Sequence, residues 1–264
     1  MTNNSPASAE QRLPLFYNSI VPLSPSRHSK LVMADRRDFK FSAKTHAIPL
    51  TVDEFVIAQR HFPIIFGPGE ISVPLALVGL REGQNLFVDE DGKWQSDVYV
   101  PGYVRRYPFV LARLSPESTD LSLCFDESYE LFSEGEKSNL FEGNEPSEIT
   151  KGVLQFCEQF EAAVQRTRAF AKELQDLDLL MEGEAQIQPQ NGPASQFRGF
   201  RMINEQKMKD LRGDQHRKLV QSGALGLMYA HLFSLNHIQT LFGKQMQRDA
   251  ADGVQAPIGE AANG

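Results

Sequence analysis

The segment YVPGYVRRYPF contains the side chains best suited to binding chemistry in this chain. Two adjacent arginines, Arg105 and Arg106, lie among aromatic residues that include Tyr103 and Tyr107. A guanidinium stacked on an aromatic ring gains about 0.5–1 kcal/mol at an exposed site. Any donors left over can bind a carboxylate or a phosphate in bidentate fashion. We therefore predict that these four residues form a platform for an anionic or peptide-like ligand or for a protein partner.

The same segment has a structural alternative. Residues 117–148 carry ten acids and a single base, Lys137, so the two arginines could instead be held by this acidic stretch. Local geometry is common to both interpretations: Pro101 and Gly102 can begin a short helical turn that Pro108 ends. Residues three apart in such a turn share a side, which pairs the first tyrosine of the turn with its second arginine.

Elsewhere the residues give little sign of catalysis. The sequence contains no Gly-x-Ser-x-Gly elbow, no Ser-x-x-Lys pair and no glycine loop that opens a helix. The six histidines show no metal-binding spacing, and only His46, a lone imidazole in a proline-flanked turn, is kept as a weaker ligand-binding candidate. We therefore expect no catalytic residues, no metal and no cofactor, and a function that leans away from an enzyme.

The elements that must position these residues form an α+β pattern. The first half predicts antiparallel strands and hairpins, with strand-like runs at 63–67, 73–80, 85–94, 109–114 and 121–126. A short helix should follow Thr51, because Glu54 three residues later completes a capping box.

The second half predicts long helices and one pair of strands. A helix should begin at Pro146–Ser147 and fade near Asp178, with apolar residues every three or four positions. Two strands should follow around a PQNGPA turn, and Asn204 should cap a short helix. A last helix is predicted over 214–246, apolar on nearly every side and therefore buried, with Gly223 and Gly226 allowing close packing.

Composition sets the broad class. The chain has 264 residues and a net charge of −7, which argues against general binding of nucleic acid. Basic clusters at 27–44 and 198–218 are either solvated faces or a surface for an anionic ligand or partner. We expect one α+β domain over 13–246, between a disordered N-terminus at 1–12 and a disordered tail at 247–264.

Two further features concern the compartment. Cys124 and Cys157 are too few for a disulfide framework, so we predict two buried free thiols. The longest apolar run is too short to span a bilayer, and the N-terminus lacks the pattern of a secretory signal. These features lead us to expect a cytoplasmic protein without a membrane span.

Several stretches together resemble the bacterial SapC-like family, in the family's order and over most of residues 15–242. The most specific are NLFVDEDGKW and YVPGYVRRYPF. The others are IVPLSPSRHSKL, DFKFSAKTHAIPLTVDEF, PIIFG, PLALVGLREGQ, LCFDE, FRGFRMINEQKMKDL and SGALGLMYAHLFSL.

The resemblance implies a function but no catalytic residues. It implies an accessory or binding role linked to nutrient uptake or to a tryptophan-halogenase-like neighbour. We therefore predict a non-enzymatic accessory or binding protein. The alternatives are an enzyme of unassigned type that acts with an oxidoreductase partner, or a protein associated with a surface layer.

Overall fold

The computed structural model describes residues 13–34, 38–69, 71–115, 117–118, 120–136, 138–187 and 195–253. The expected disorder of residues 1–12 and of 254–264 lies outside the described residues. The chain divides into two compact units, the first made of residues 1–34 and 107–151 and the second of 35–106 and 152–264.

The first unit is built mainly from short antiparallel strands. Its elements are β1 (Ile20–Pro22), α1 (Pro25–His28), β2 (Leu31–Met33), β6 (Phe109–Ala112), β7 (Ser122–Asp126), β8 (Phe132–Glu134), β9 (Phe141–Glu142) and β10 (Glu145–Pro146). One sheet has the order β1-β7-β6, and β2-β8 and β9-β10 form separate pairs. The predicted hairpin of residues 109–114 and 121–126 is confirmed as β6 and β7, with Val110 opposite Cys124.

A buried carboxylate organises one end of this small sheet. Asp126 at the end of β7 is fully buried and accepts hydrogen bonds from the backbone N–H groups of Asn18, Ser19 and Ser128 at 2.7, 3.1 and 3.1 Å. Burial opposes ionisation of this carboxyl, but the hydrogen bonds outweigh it and lower the pKa of Asp126. The carboxylate therefore fixes the chain that precedes β1.

The second unit contains a five-stranded antiparallel sheet. Its order is β11-β12-β4-β5-β3. These strands are β3 (Ala47–Pro49), β4 (Ile64–Phe66), β5 (Pro74–Leu77), β11 (Leu180–Ile187) and β12 (Ser195–Ile203). The predicted strands at 63–67 and 73–80 and the predicted strand pair after the long helix are therefore confirmed. The run at 85–94 differs, because it forms a turn closed by a single bridge between Val88 and Trp94.

Helices complete the second unit. They are α2 (Phe55–Ala58), α3 (Gly102–Arg106), α5 (Glu205–Lys209), α6 (Gly213–Ser222), α7 (Ala224–Ser234) and α8 (His237–Asp252), together with residues 152–176 of α4 (Glu148–Asp176). The predicted α4 face is confirmed, since Phe160, Thr167, Phe170 and Leu174 are all buried. Asn204 caps α5 as predicted, by accepting from the N–H of Lys207 at 3.0 Å. With strands prevailing early and long helices late, the α+β class is confirmed.

The prediction of one helix over 214–246 is wrong. Gly223 has φ +79°, the left-handed region that ends a helix, so α6 stops there and α7 begins in a new direction. Neither Gly223 nor Gly226 is closely approached, so their predicted packing role is also wrong. Only one face of α7 is buried, and Phe233 is 63% exposed. The final helix also continues to Asp252, inside the segment expected to be disordered.

Polar side chains of α7 bind the sheet. His231 is fully buried, and its Nε2 accepts a hydrogen bond from the backbone N–H of Ile203 in β12 at 3.1 Å. Ser234 accepts from the N–H of Ile64 in β4 at 2.8 Å. Both strands thus have backbone donors that only α7 satisfies, and a misplaced α7 would leave those donors buried without partners.

The burial of His231 predicts a dependence of stability on pH. Burial lowers the pKa of His231 to about 4, from 6.5 for the free side chain. Below pH 6.5 the unfolded chain binds a proton that the folded chain refuses, so the free energy of unfolding falls as the pH drops from 6.5 towards 4. The slope from this group approaches about 1.4 kcal/mol per pH unit.

Urea unfolding of the wild type and of His231→Gln at several pH values measures this effect. Gln keeps an acceptor for the N–H of Ile203 but cannot be protonated, so the variant should lose less stability over the same pH range. Parallel pH profiles for the two proteins would contradict the prediction.

The remaining expectations concern the two cysteine thiols and a membrane-spanning helix. Cys124 and Cys157 are both free and buried, as predicted. Across the described ranges, none of the helices has both the length and the apolar character needed to cross a bilayer.

Candidate functional site

The predicted capping box is confirmed, and its acid reaches further than the sequence indicated. Glu54 is only 6% exposed, and its Oε2 accepts from the N–H and the hydroxyl of Thr51 at 2.9 and 2.8 Å. Its Oε1 accepts from the N–H of Gly102 at 2.6 Å and from the hydroxyl of Tyr99 at 3.0 Å. One carboxylate therefore joins the turn before α2 to the first residues of the YVPGYVRRYPF segment.

The side chain of Arg106 is buried and binds other side chains of the protein. It is 6% exposed, and its Nη1 forms an ion pair with Glu161 of α4 at 3.1 Å. Its guanidinium lies over the rings of Tyr103 and Phe160, at 4.8 and 4.5 Å from the ring centroids. The predicted pairing of Tyr103 with Arg106 is confirmed, and the carboxylate that holds Arg106 belongs to α4, outside the acidic segment 117–148.

Arg105 has the opposite setting. It is exposed, and it donates from Nε to the carbonyl of Val100 at 3.1 Å and from Nη2 to the hydroxyl of Tyr99 at 3.0 Å. Its guanidinium also lies 5.5 Å from the ring centroid of Tyr99 and 5.2 Å from that of Phe156. Within the described residues its Nη1 makes no hydrogen bond. Arg105 is therefore both held in place and open to solvent.

Tyr99 connects the exposed arginine to the buried acid. Burial, followed by the nearby charge of Glu54, raises the pKa of Tyr99 to about 12, while Arg105 opposes the rise. The phenol is therefore protonated at neutral pH, and it donates to Glu54 while it accepts from Arg105. This chain of hydrogen bonds restricts the orientation of the Arg105 guanidinium.

The other two predicted site residues lie in separate surroundings. Tyr107 belongs to the first unit, where its hydroxyl donates to Asp126 at 3.3 Å and where burial raises its pKa. His46 is half-buried, and burial lowers its pKa while the nearby charge of Glu82 opposes the shift. Thus Tyr103 and Arg106 share one local environment, Arg105 sits with Tyr99 and Phe156, and Tyr107 and His46 each have their own. The ligand-binding role of all five stays a prediction.

A cleft in the second unit, with many charged residues in its lining, was not predicted. Its volume is about 600 Å³. Three parts of the chain line it: the turn at 40–44, the loop at 81–90 and the end of α8 at 248–252. The charged residues that line it are Lys40, Lys44, Arg81, Glu82, Asp89, Glu90, Arg248, Asp249 and Asp252.

The inner wall of the cleft is a network of paired groups. Arg81 forms an ion pair with Asp249 at 2.7 Å, and Asp249 also accepts from the side-chain amide of Gln245 at 2.9 Å. Gln245 is fully buried, and its amide also reaches the side-chain oxygen of Gln84 at 2.5 Å. Because these groups are hydrogen-bonded to one another, the wall is fixed in shape.

The rim of the cleft carries charges that are not paired. Lys40 and Lys44 are exposed on the turn, and Glu82 and Glu90 are exposed on the loop. Among the residues that the structure describes, none of these four makes an ion pair. Asn85 holds the turn to the loop, through its N–H to the carbonyl of Ala43 at 2.9 Å and its side-chain amide to that of Ser42 at 3.1 Å.

The amino-acid sequence contains only a faint signal for this cleft. Lys40 and Lys44 belong to the basic cluster at 27–44, for which an anionic ligand was one interpretation. The loop contains Gly83 at φ +75°, a turn position, but nothing in the local pattern connects it to α8, which lies far along the chain.

The described residues offer little for covalent or metal chemistry. They contain no group of three or more histidine, cysteine, aspartate or glutamate side chains arranged to hold a metal ion. Burial raises the pKa of Cys157 to about 11, so this thiol is protonated at neutral pH and is a poor nucleophile.

The family model described as SapC matches residues 23–241 of the chain. No curated protein and no solved structure shows a significant match.

Proposed function

The chain belongs to the SapC family, and we propose that it is a non-enzymatic accessory protein that binds an anionic group through Arg105. The anionic group would belong to a small or peptide-like ligand or to a protein partner. The observation that carries the proposal is the setting of Arg105, which is exposed but held by two hydrogen bonds and two aromatic rings. A link to nutrient uptake or to a tryptophan-halogenase-like neighbour belongs to the same proposal.

The held guanidinium supports binding for an energetic reason. A free arginine loses rotamer entropy when it binds a ligand, and each immobilised side chain costs roughly 0.5–1.5 kcal/mol. Arg105 has already lost much of that freedom to Tyr99, Val100 and Phe156. Arginine with aromatic neighbours is also the composition enriched at the energetic centres of interfaces.

Arg106 serves the proposal indirectly. Since its guanidinium is buried and paired with Glu161, it fastens α3 to α4 rather than meeting a ligand. We infer that it positions Arg105, and the binding surface proposed here consists of Arg105 with Tyr99 and Phe156.

An NMR titration tests the role of Arg105. We expect N-acetyl-diglutamyl amide, an acidic peptide without a free amine, to shift the side-chain Nε resonance of Arg105 in a saturable way. Arg105→Gln should weaken binding of this peptide about tenfold, the equivalent of one charge-assisted pair.

Arg217 provides the matched control. It is an exposed arginine whose side chain makes no hydrogen bond, ion pair or ring contact with the described residues. Arg217→Gln removes the same charge and should leave the affinity nearly unchanged. Equal losses in the two variants would mean that only net charge matters, and a linear, unsaturable shift would mean that there is no site; either result overturns the proposal.

A further inference from the structure

The cleft lined by the turn at 40–44, the loop at 81–90 and the end of α8 carries a second inference. We propose that it binds a zwitterionic ligand, a short peptide with a free ammonium group and a free carboxylate. None of the lining residues belongs to the segment that contains Arg105, so this site does not depend on the function proposed above.

The inner wall gives the cleft a defined shape without using up its outer charges. The guanidinium of Arg81 and the carboxylate of Asp249 neutralise each other, and their side chains are only 20% and 8% exposed. Gln245 holds this pair from behind and also accepts from the N–H of Leu80 at 3.4 Å. A buried network of groups that hydrogen-bond to one another stays rigid when a ligand enters.

The rim then determines which charges the ligand must have. Lys40 and Lys44 lie on one element and Glu82 and Glu90 on the other, and none of these four forms an ion pair with the described residues. A further exposed acid of the loop, Asp89, accepts a hydrogen bond from the backbone N–H of Lys93 at 2.8 Å and so belongs to its own turn. A purely anionic ligand would be attracted by the lysines but repelled by the glutamates. A purely cationic ligand would be attracted by the glutamates but repelled by the lysines. Only a molecule with both charges is favoured on both sides.

The spacing between the two sides is fixed by the protein. Asn85 is buried, and its hydrogen bonds to Ala43 and Ser42 tie the lysine turn to the glutamate loop. Arg248 and Asp252 form an ion pair with each other at 3.2 Å, so neither requires an opposite charge on the ligand. With a volume of about 600 Å³, the cleft is far larger than a single ion and lies within the range of small-molecule sites.

Three forms of one tripeptide test the inference by calorimetry. Trialanine carries both charges, N-acetyl-trialanine carries only the carboxylate, and trialanine amide carries only the ammonium group. We expect trialanine to bind saturably and each blocked form to bind at least about tenfold more weakly, the loss of one charge-assisted contact.

Paired rim variants assign each end of the peptide. Lys40→Gln with Lys44→Gln should abolish the advantage of trialanine over its amide and leave its advantage over the acetylated form. Glu82→Gln with Glu90→Gln should do the converse. All four residues are exposed, so the variants should keep their stability, which thermal unfolding verifies.

Arg217→Gln is the control outside the cleft and should leave trialanine binding unchanged. The inference is overturned if trialanine does not bind, if a blocked form binds as well as trialanine, or if the two rim variants fail to separate the two ends. A failure of the acidic-peptide titration at Arg105 would leave these three results unaffected, so the two proposals are judged separately.

Discussion

Glu54→Ala is expected to lower the free energy of unfolding by about 3–5 kcal/mol. The buried carboxylate accepts four hydrogen bonds, two from Thr51 and one each from Gly102 and Tyr99. Its removal leaves three buried donors and a phenol without their acceptor, and each unsatisfied group costs about 1–3 kcal/mol before relaxation. Chemical denaturation with the wild type alongside measures the loss.

Two other substitutions show whether the loss comes from those donors. Glu54→Gln keeps the shape but turns an amide N–H₂ towards one pair of donors, so it should still cost about 2 kcal/mol. Asp53→Ala removes the neighbouring acid, whose ion pair with Arg166 is exposed, and should cost less than about 1 kcal/mol. A tolerated Glu54→Ala would show that the hydrogen bonds add nothing to the stability of the fold.

Glu54→Ala should also affect the proposed binding surface at Arg105. Tyr99 donates to Glu54 and accepts from Arg105, so the loss of Glu54 frees the phenol that restrains the guanidinium. In a variant that remains folded, binding of the acidic peptide should weaken although Glu54 does not contact it. Weaker binding in this variant would show that Glu54 acts by positioning Arg105 and not by contacting the peptide.

Gly183→Ala is expected to destabilise the second unit by about 3 kcal/mol. Gly183 lies opposite Phe200 in the β11–β12 pair, at a shift in register, and the Phe200 ring covers it. A Cβ added at Gly183 would lie 2.5 Å from Cδ2 of this ring, well inside van der Waals contact. The ring is 1% exposed, so it has little room to move.

A double-mutant cycle tests the clash itself. In a Phe200→Leu background the ring is gone, so adding the methyl group at position 183 should cost much less than in the wild type. The coupling between the two sites should exceed about 1 kcal/mol. Additive effects would place the cost of Gly183→Ala in the backbone rather than in the ring.

Gly226→Ala is the control for the glycine change. Gly226 lies within α7 with no neighbouring atom within reach of an added Cβ, and its backbone is helical. Alanine there should stabilise the protein by about 0.5–1 kcal/mol, because glycine is the poorer helix former. The two glycines should thus respond with opposite signs.

Local patterns were sufficient for most of the elements. The capping box at Thr51, the cap at Asn204 and the apolar face of α4 depend on residues three or four apart, and all are confirmed. The prediction of one last helix was wrong because the apolar run concealed the break at Gly223. Whether a glycine adopts the left-handed conformation that ends a helix depends on how the next helix packs, which a local pattern does not contain.

The candidate sites were predicted less well, because charge pairing is not local. The sequence could place Arg105 and Arg106 in one short helix but could not say that Arg106 meets Glu161 while Arg105 stays exposed. Adjacent residues in a helix point in different directions, so their partners depend on which side the helix buries.

By itself, the sequence determined the α+β class, the aromatic setting of the two arginines and the membership of a family. Those properties follow from composition and from spacings within a few residues, which survive without any knowledge of the packing. Only the tertiary structure decided that one arginine is internal and the other exposed, and that residues 40–44, 81–90 and 248–252 surround one cleft. These contacts join segments that are far apart in the sequence. Unlike the contacts within a helix or a strand, they have no fixed spacing along the chain, so no periodic pattern predicts them.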